Sequence, residues 1–164
     1  MVSLYIMIGV SGSGKSTYAE MLCKNLNSTD KTTRKETTII SSDAIRAELC
    51  NGDVSDQSKN SQVFEVAYKR IEQTLQLGVN VIWDATNLSR EERVKPIAIG
   101  RKYGAELIAI QINTPLTIAM ERNNRRERKV PVNIIWRQHG RFFPATKKEF
   151  DKIGIVGISG ITFL

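Results

Sequence analysis

Short, almost purely apolar runs alternate along the chain with longer segments in which apolar residues recur every three or four positions. Residues 3–8, 37–41, 79–84 and 107–112 are the runs. They barely alternate, as strands buried on both faces do. Between them, residues 16–25, 42–50, 58–76 and 89–102 have helical spacing, as does a segment from 114 that runs into the arginine-rich 122–129 and is broken by Val130-Pro131-Val132. Val63, Val66, Ala67, Ile71 and Leu75 show it most clearly. Punctuation agrees with this division. Asn51-Gly52 and Gly78 are helix stops, and Ser42 or Asp43 is the expected cap of the second helix. Ser89-Arg90-Glu91-Glu92 is a capping box, and Thr114-Pro115 places an N-cap before a proline at the first helical position. Pro96 predicts a kink in the fourth helix. Residues 27–36 are polar and predict an exposed connection. A helix over 132–141 and a last strand or hairpin from 150–156 and 161–164 complete the pattern.

Strands alternating with helices predict an α/β fold of three layers. A central parallel sheet of four to five strands would have helices on both faces, within one domain over residues 1–164. In such sheets ligands bind beyond the carboxyl ends of the strands. The stretch 9–16, Asp43, Asp84 and Asn113 all fall at such ends.

The first strand runs into Gly9-Val10-Ser11-Gly12-Ser13-Gly14-Lys15-Ser16. This is G-x-x-x-x-G-K-[ST] in its strand–loop–helix setting, the phosphate-binding P-loop. Gly9, Gly12 and Gly14 permit turns closed to other residues. Successive N–H groups, with Ser11 and Ser13 between the glycines and Thr17 just inside the helix, then surround phosphate oxygens at the helix's positive end. Lys15 can reach the β- and γ-phosphates of ATP, and Ser16 can offer its hydroxyl to Mg²⁺.

Two acidic sites accompany it. Asp43 and Arg46 are three residues apart at a helix start, hence on one face. Asp43 could take the proton of an attacking hydroxyl, and Arg46 could hold the acceptor or its phosphate. An N-cap aspartate with an intrahelical ion pair fits the same spacing. Asp84 ends an apolar strand, where a carboxylate can hold Mg²⁺ directly or through water. Asn87 follows at the same cleft edge, and the pair could also cap and stabilise a turn. In the arginine-rich stretch 122–131, Arg122 and Arg126 share a helix face. An arginine on a lid stabilises charge on a transferring phosphoryl group, and Arg126 is the best placed.

Charge sharpens this reading. The net charge is +7, and residues 120–152 carry ten basic against four acidic side chains, an excess of +6. Beside a nucleotide site, such a block suits the phosphates of the donor or of a nucleic acid. The cysteines, Cys23 and Cys50, form no disulfide framework or metal motif and suit a reducing cytoplasm. Neither a signal peptide nor an apolar stretch long enough for a membrane is expected.

In their order and spacing, the P-loop, Ser42-Asp43-x-x-Arg46, Trp83-Asp84-Ala85-Thr86-Asn87 and Arg122-Asn123-x-x-Arg126 resemble the kinase domain of the phage-type 5′-hydroxyl polynucleotide kinases. These belong among the P-loop kinases related to adenylate and shikimate kinases. The resemblance implies ATP and Mg²⁺ as cofactors, a 5′-OH nucleic-acid end as substrate and a role in nucleic-acid repair. It matches Lys15 and Ser16 to donor-phosphate and metal positions and Asp43 to the general base. Arg46 matches an acceptor-phosphate contact, Asp84 an acidic position at the acceptor site, and Arg126, with Arg122 close by, the lid arginine on the donor. A kinase for a small-molecule hydroxyl, or a nucleotide-binding ATPase or switch, would use the same loop.

Overall fold

Along β1 (Ser3–Ile8) successive side chains enter opposite faces of a sheet. Leu4, Ile6 and Ile8 join one apolar cluster, while Tyr5 and Met7 join another. The same sorting holds for β3 (Asn80–Asp84) and β4 (Glu106–Ile112). Val81, Trp83, Leu107 and Ala109 go one way, and Ile82, Ile108, Ile110 and Ile112 the other. A strand with apolar groups on both sides must be covered on both sides. On the first face lie α3 (Asn60–Gln76) and α4 (Arg90–Lys102), and on the second lies α1 (Lys15–Thr29). From α3, Val63, Ala67, Ile71 and Leu75 are buried. Full burial of each of the larger ones is worth about 1.5–3 kcal/mol.

The computed structural model describes residues 1–29, 36–157 and 159–164. The remaining elements are β2 (Thr37–Ser41), α2 (Ser42–Leu49), α5 (Leu116–Asn124), α6 (Val132–Gly140), β5 (Lys152–Gly157) and β6 (Gly160–Phe163). The strand order is β2-β3-β1-β4-β5-β6. β1 to β5 are parallel, and β6 returns antiparallel to β5 as the second arm of a hairpin. The three-layer expectation holds, with five parallel strands and one antiparallel edge strand.

Several boundaries differ from the sequence pattern. Helix α1 continues to Thr29 because the Asn27 amide serves both backbone groups of Thr37. It donates to the Thr37 carbonyl (3.0 Å) and accepts from the Thr37 N–H (2.8 Å). Residues 27–29 are therefore helix rather than connection, and residues 30–35 of that expected connection lie outside the described residues. The cap of α2 is Ser41, whose hydroxyl accepts from the Ala44 N–H, rather than Ser42 or Asp43. Pro115 occupies the cap position of α5. Thr114 instead turns its hydroxyl to the Ser13 carbonyl, 2.8 Å away. Helix α4 runs unbroken through Pro96, which is buried. Ser89 caps it as expected, and Glu92 reaches back to the Leu88 N–H.

Candidate active site

The P-loop leaves β1 and wraps into α1, held from three sides. The Gly9 N–H donates to the Thr86 carbonyl (3.1 Å), which ties the loop to the segment after β3. Gly12 has φ of 80°, in the left-handed region, and a Cβ there would meet the Ala119 carbonyl oxygen of α5 at 2.3 Å. Only glycine satisfies both constraints. The Ser13 carbonyl accepts from the Thr114 hydroxyl and from Arg122 Nη1 (3.1 Å). The Ser11 N–H donates to Gln138 Oε1 of α6 (2.8 Å). Sequence reasoning missed Gln138, since nothing local marks a contact 127 residues away. The N–H groups of Lys15, Ser16 and Thr17 open α1, where intrahelical partners are lacking.

Lys15 is buried, and its ammonium donates to the Val10 carbonyl at 2.8 Å. Burial pulls its pKa down to about 8, against the charges of Asp84 and Asp43, which raise it; Arg126 adds to the lowering. Asp84, Asp43 and Arg126 thus all lie within electrostatic range of Lys15. Asp84 is buried at the end of β3, and burial raises its pKa. A hydrogen bond from Ser16 and the charge of Lys15 lower it, while Asp43 and Glu20 raise it. Ser16 and Asp84, the two residues expected at a metal, are therefore in contact. Among the described residues, no group of three His, Cys, Asp or Glu could hold a metal ion by itself. A cation here would complete its shell with donor phosphate oxygens, as hard Mg²⁺ does.

Asp43 lies in the first turn of α2 with its side chain 66% exposed. The structure brings it to the strand-end cleft but turns Arg46 away. Arg46 is 5% exposed, with Nη1 on the Asp56 carbonyl (3.3 Å) and Nη2 on Asn60 Oδ1 (2.8 Å). It pins the α2–α3 connection. Asn87 is likewise buried, at φ of 47°. Its Oδ1 accepts from the Trp83 indole (2.9 Å), and its Nδ2 donates to the Met7 and Ala85 carbonyls. It fastens the end of β3 to the end of β1. Arg93, fully buried, braces the same segment through the Asn87, Leu88 and Phe143 carbonyls and Glu149.

The arginine-rich stretch begins in α5 and ends before α6. Asn123 closes its base: its amide donates to the Val130 carbonyl (2.8 Å) and accepts from the Val130 N–H (2.9 Å). Arg125 pairs with Glu121 on the outer surface, whereas Arg128 reaches toward Asp43. Beside Gly14 and Arg122 opens a cavity of about 490 Å³, walled by Tyr18 and Met21 of α1, Ile112 and Val156.

A P-loop at the end of a central parallel strand, a buried aspartate beside the exposed P-loop serine and a second, exposed aspartate define a P-loop kinase. The chain belongs to the AAA domain family, whose model matches residues 4–145. It is 27% identical over 162 residues to a protein named as a bifunctional polynucleotide kinase/RNA ligase of Autographa californica nuclear polyhedrosis virus. That alignment covers 90% of this chain and 22% of the relative. It is 26% identical over 149 residues to an L-seryl-tRNA(Sec) kinase of Methanococcus maripaludis, covering 90% of this chain and 56% of that protein. The chain thus spans between about a fifth and just over half of these curated relatives. Among solved structures, it resembles Kti12 of Chaetomium thermophilum in complex with ADP-AlF3. The TM-score is 0.75 at 19% identity, over 94% of this chain and 89% of that one. It also resembles a chain of the Pnkp1/Rnl/Hen1 RNA repair complex, with a TM-score of 0.70 at 21% identity, over 85% of this chain and 43% of that one. Among the described residues, no helix is long and apolar enough to cross a membrane.

Proposed function

We propose that this P-loop kinase transfers the γ-phosphoryl group of ATP to the 5′-hydroxyl of a nucleic acid. In this reading residues 1–164 form one kinase domain and residues 122–131 its lid. The observation that carries it is the placement of Asp43. Its carboxylate is exposed at a strand end, within electrostatic range of buried Lys15 and Asp84, and an arginine faces it. An exposed carboxylate opposite the donor loop is suited to accept a proton from an acceptor that enters from solvent. The excess of basic residues in 120–152 and the similarity to a polynucleotide kinase/RNA ligase favour a polyanionic acceptor.

The donor's phosphates would lie against the N–H groups of residues 12–17, with Lys15 on the β- and γ-phosphates and Arg122 and Arg126 closing from the lid. The apolar cavity beside Tyr18 and Met21 has room for the base. Ser16 and Asp84 would hold Mg²⁺, which supplies charge neutralisation between the phosphates. In the transfer, the 5′-oxygen forms a bond to the γ-phosphorus as the bond to the β,γ-bridging oxygen breaks. The hydroxyl proton passes to Asp43, and ADP departs. Asn87 and Arg46 act on this site by position: Asn87 fixes the Asp84 strand end beside the P-loop, and Arg46 holds the connection that flanks Asp43.

The test is transfer of label from γ-labelled ATP to DNA and RNA oligonucleotides bearing a 5′-hydroxyl, with Asp43→Asn beside the wild type. Loss of general-base catalysis predicts a fall in kcat of about 10²–10⁴-fold. Absence of transfer to either polymer, or equal transfer by the variant, overturns the reading. The first of these outcomes would point to a small-molecule hydroxyl.

A further inference from the structure

Arg128 belongs to the lid by sequence and to the acceptor side by position. Its Nη1 lies 3.7 Å from Asp43 Oδ2, and its Nη2 donates to the Val54 carbonyl in the α2–α3 connection. The contact with Asp43 is too long for a hydrogen bond. Both side chains are well exposed, 39% for Arg128 and 66% for Asp43. An ion pair of this kind adds little to stability, so neither group is committed to its partner. Arg46, the arginine that the motif points to for the acceptor, is buried and bonded to Asp56 and Asn60. A guanidinium offers a planar fork that takes two oxygens of one phosphate together, a stronger match than a single loose contact with a carboxylate.

We propose that Arg128 is the acceptor-phosphate contact, taking the phosphate on the 3′ side of the nucleotide whose 5′-hydroxyl is attacked. This rests on the 5′-hydroxyl kinase reading above. With its Nη1 3.7 Å from the Asp43 carboxylate, the Arg128 guanidinium would be within reach of a phosphate one sugar away from a hydroxyl that meets Asp43. Binding it exchanges the Arg128–Asp43 contact for an Arg128–phosphate contact. The carboxylate, released from the arginine, then faces the hydroxyl. Specificity for a phosphate-bearing end and access of the hydroxyl to Asp43 thus depend on one side chain.

The experiment compares a nucleoside with its 3′-monophosphate as acceptors, by kcat/KM, in the wild type, Arg128→Ala and Arg128→Lys. The wild type should prefer the 3′-monophosphate by about 10- to 100-fold, the range of a hydrogen bond to a charged group. In Arg128→Ala this ratio should fall to about 2-fold or less, and Arg128→Lys should restore part of it. A merely structural loss would slow both acceptors alike and leave the ratio in place. A preference retained in Arg128→Ala, or absent from the wild type while both acceptors are phosphorylated, overturns the assignment of Arg128 alone. A wild type that phosphorylates no 5′-hydroxyl acceptor removes the kinase reading and this inference together.

Discussion

Lys15 and Asp43 follow β1 and β2, the two strands that flank β3, yet their surroundings are opposite. Lys15 is buried, bonded to Val10, and set in a loop held by Thr86, Thr114, Arg122 and Gln138. Asp43 is mostly exposed and touched by one arginine at 3.7 Å. The difference is one of preorganisation. Donor phosphates have a fixed shape, so a loop whose dipoles are already aimed at them needs no reorganisation when charge develops. An acceptor that arrives from solvent needs an open side, and its binding groups can be surface side chains that exchange partners.

The contrast would break most visibly at Lys15. Lys15→Ala should reduce phosphoryl transfer by at least about 10³-fold, since it removes the only ammonium in the loop at the site of charge development. Retention of activity within tenfold in a transfer assay would show that the donor half is less committed than its packing indicates. A sharper division comes from Arg46→Ala. Removing a buried, hydrogen-bonded guanidinium should cost about 1–3 kcal/mol of stability, or about 2–10 °C in Tm for a chain of this size. An unchanged melt with a raised acceptor KM would return Arg46 to the acceptor side.

The smallest effect is a proton. The folded-state pKa of Lys15, about 8, lies below its ordinary 10.5. Between those values the unfolded chain keeps a proton that the folded one has released, so donor-free protein gains stability as pH rises through the window. Phosphate oxygens favour the charged ammonium and restore its proton. Donor binding near pH 9 should therefore take up a substantial fraction of one proton, seen as a dependence of the calorimetric binding enthalpy on the buffer's ionisation enthalpy. No buffer dependence would show that burial does not depress Lys15.

The donor half was legible in the sequence because its information is local. Residues 3–16 carry strand, loop glycines, lysine and serine in one run, and β1 spans Ser3–Ile8 as the apolar pattern predicts. The acceptor half was legible only as identities. Three-residue spacing puts Asp43 and Arg46 on one helix face, but it does not say which way a long side chain turns. Arg46 turns to Asp56 and Asn60, partners supplied by a connection without periodicity. Asn87 was visible as a polar residue at the right edge. Its bonds to Met7 and Trp83 depend on a left-handed backbone and on the adjacency of β1 and β3. Ser41 capped a helix expected to begin one or two residues later because β2 and α2 meet without a loop residue between them.

The paired hydrogen bonds between Asn123 and Val130 turn residues 124–129 into a short closed ring that projects from a fixed base. Guanidinium groups on so short a tether cannot diffuse away from the cleft. Their local concentration there is set by the ring's dimensions, of millimolar order or above, whatever the protein's dilution. The ring carries Arg126, in range of Lys15, and Arg128, beside Asp43. One loop of six residues thus confines its positive charge to the cleft between Lys15 and Asp43, and there it offsets the negative charge of a donor before that donor arrives.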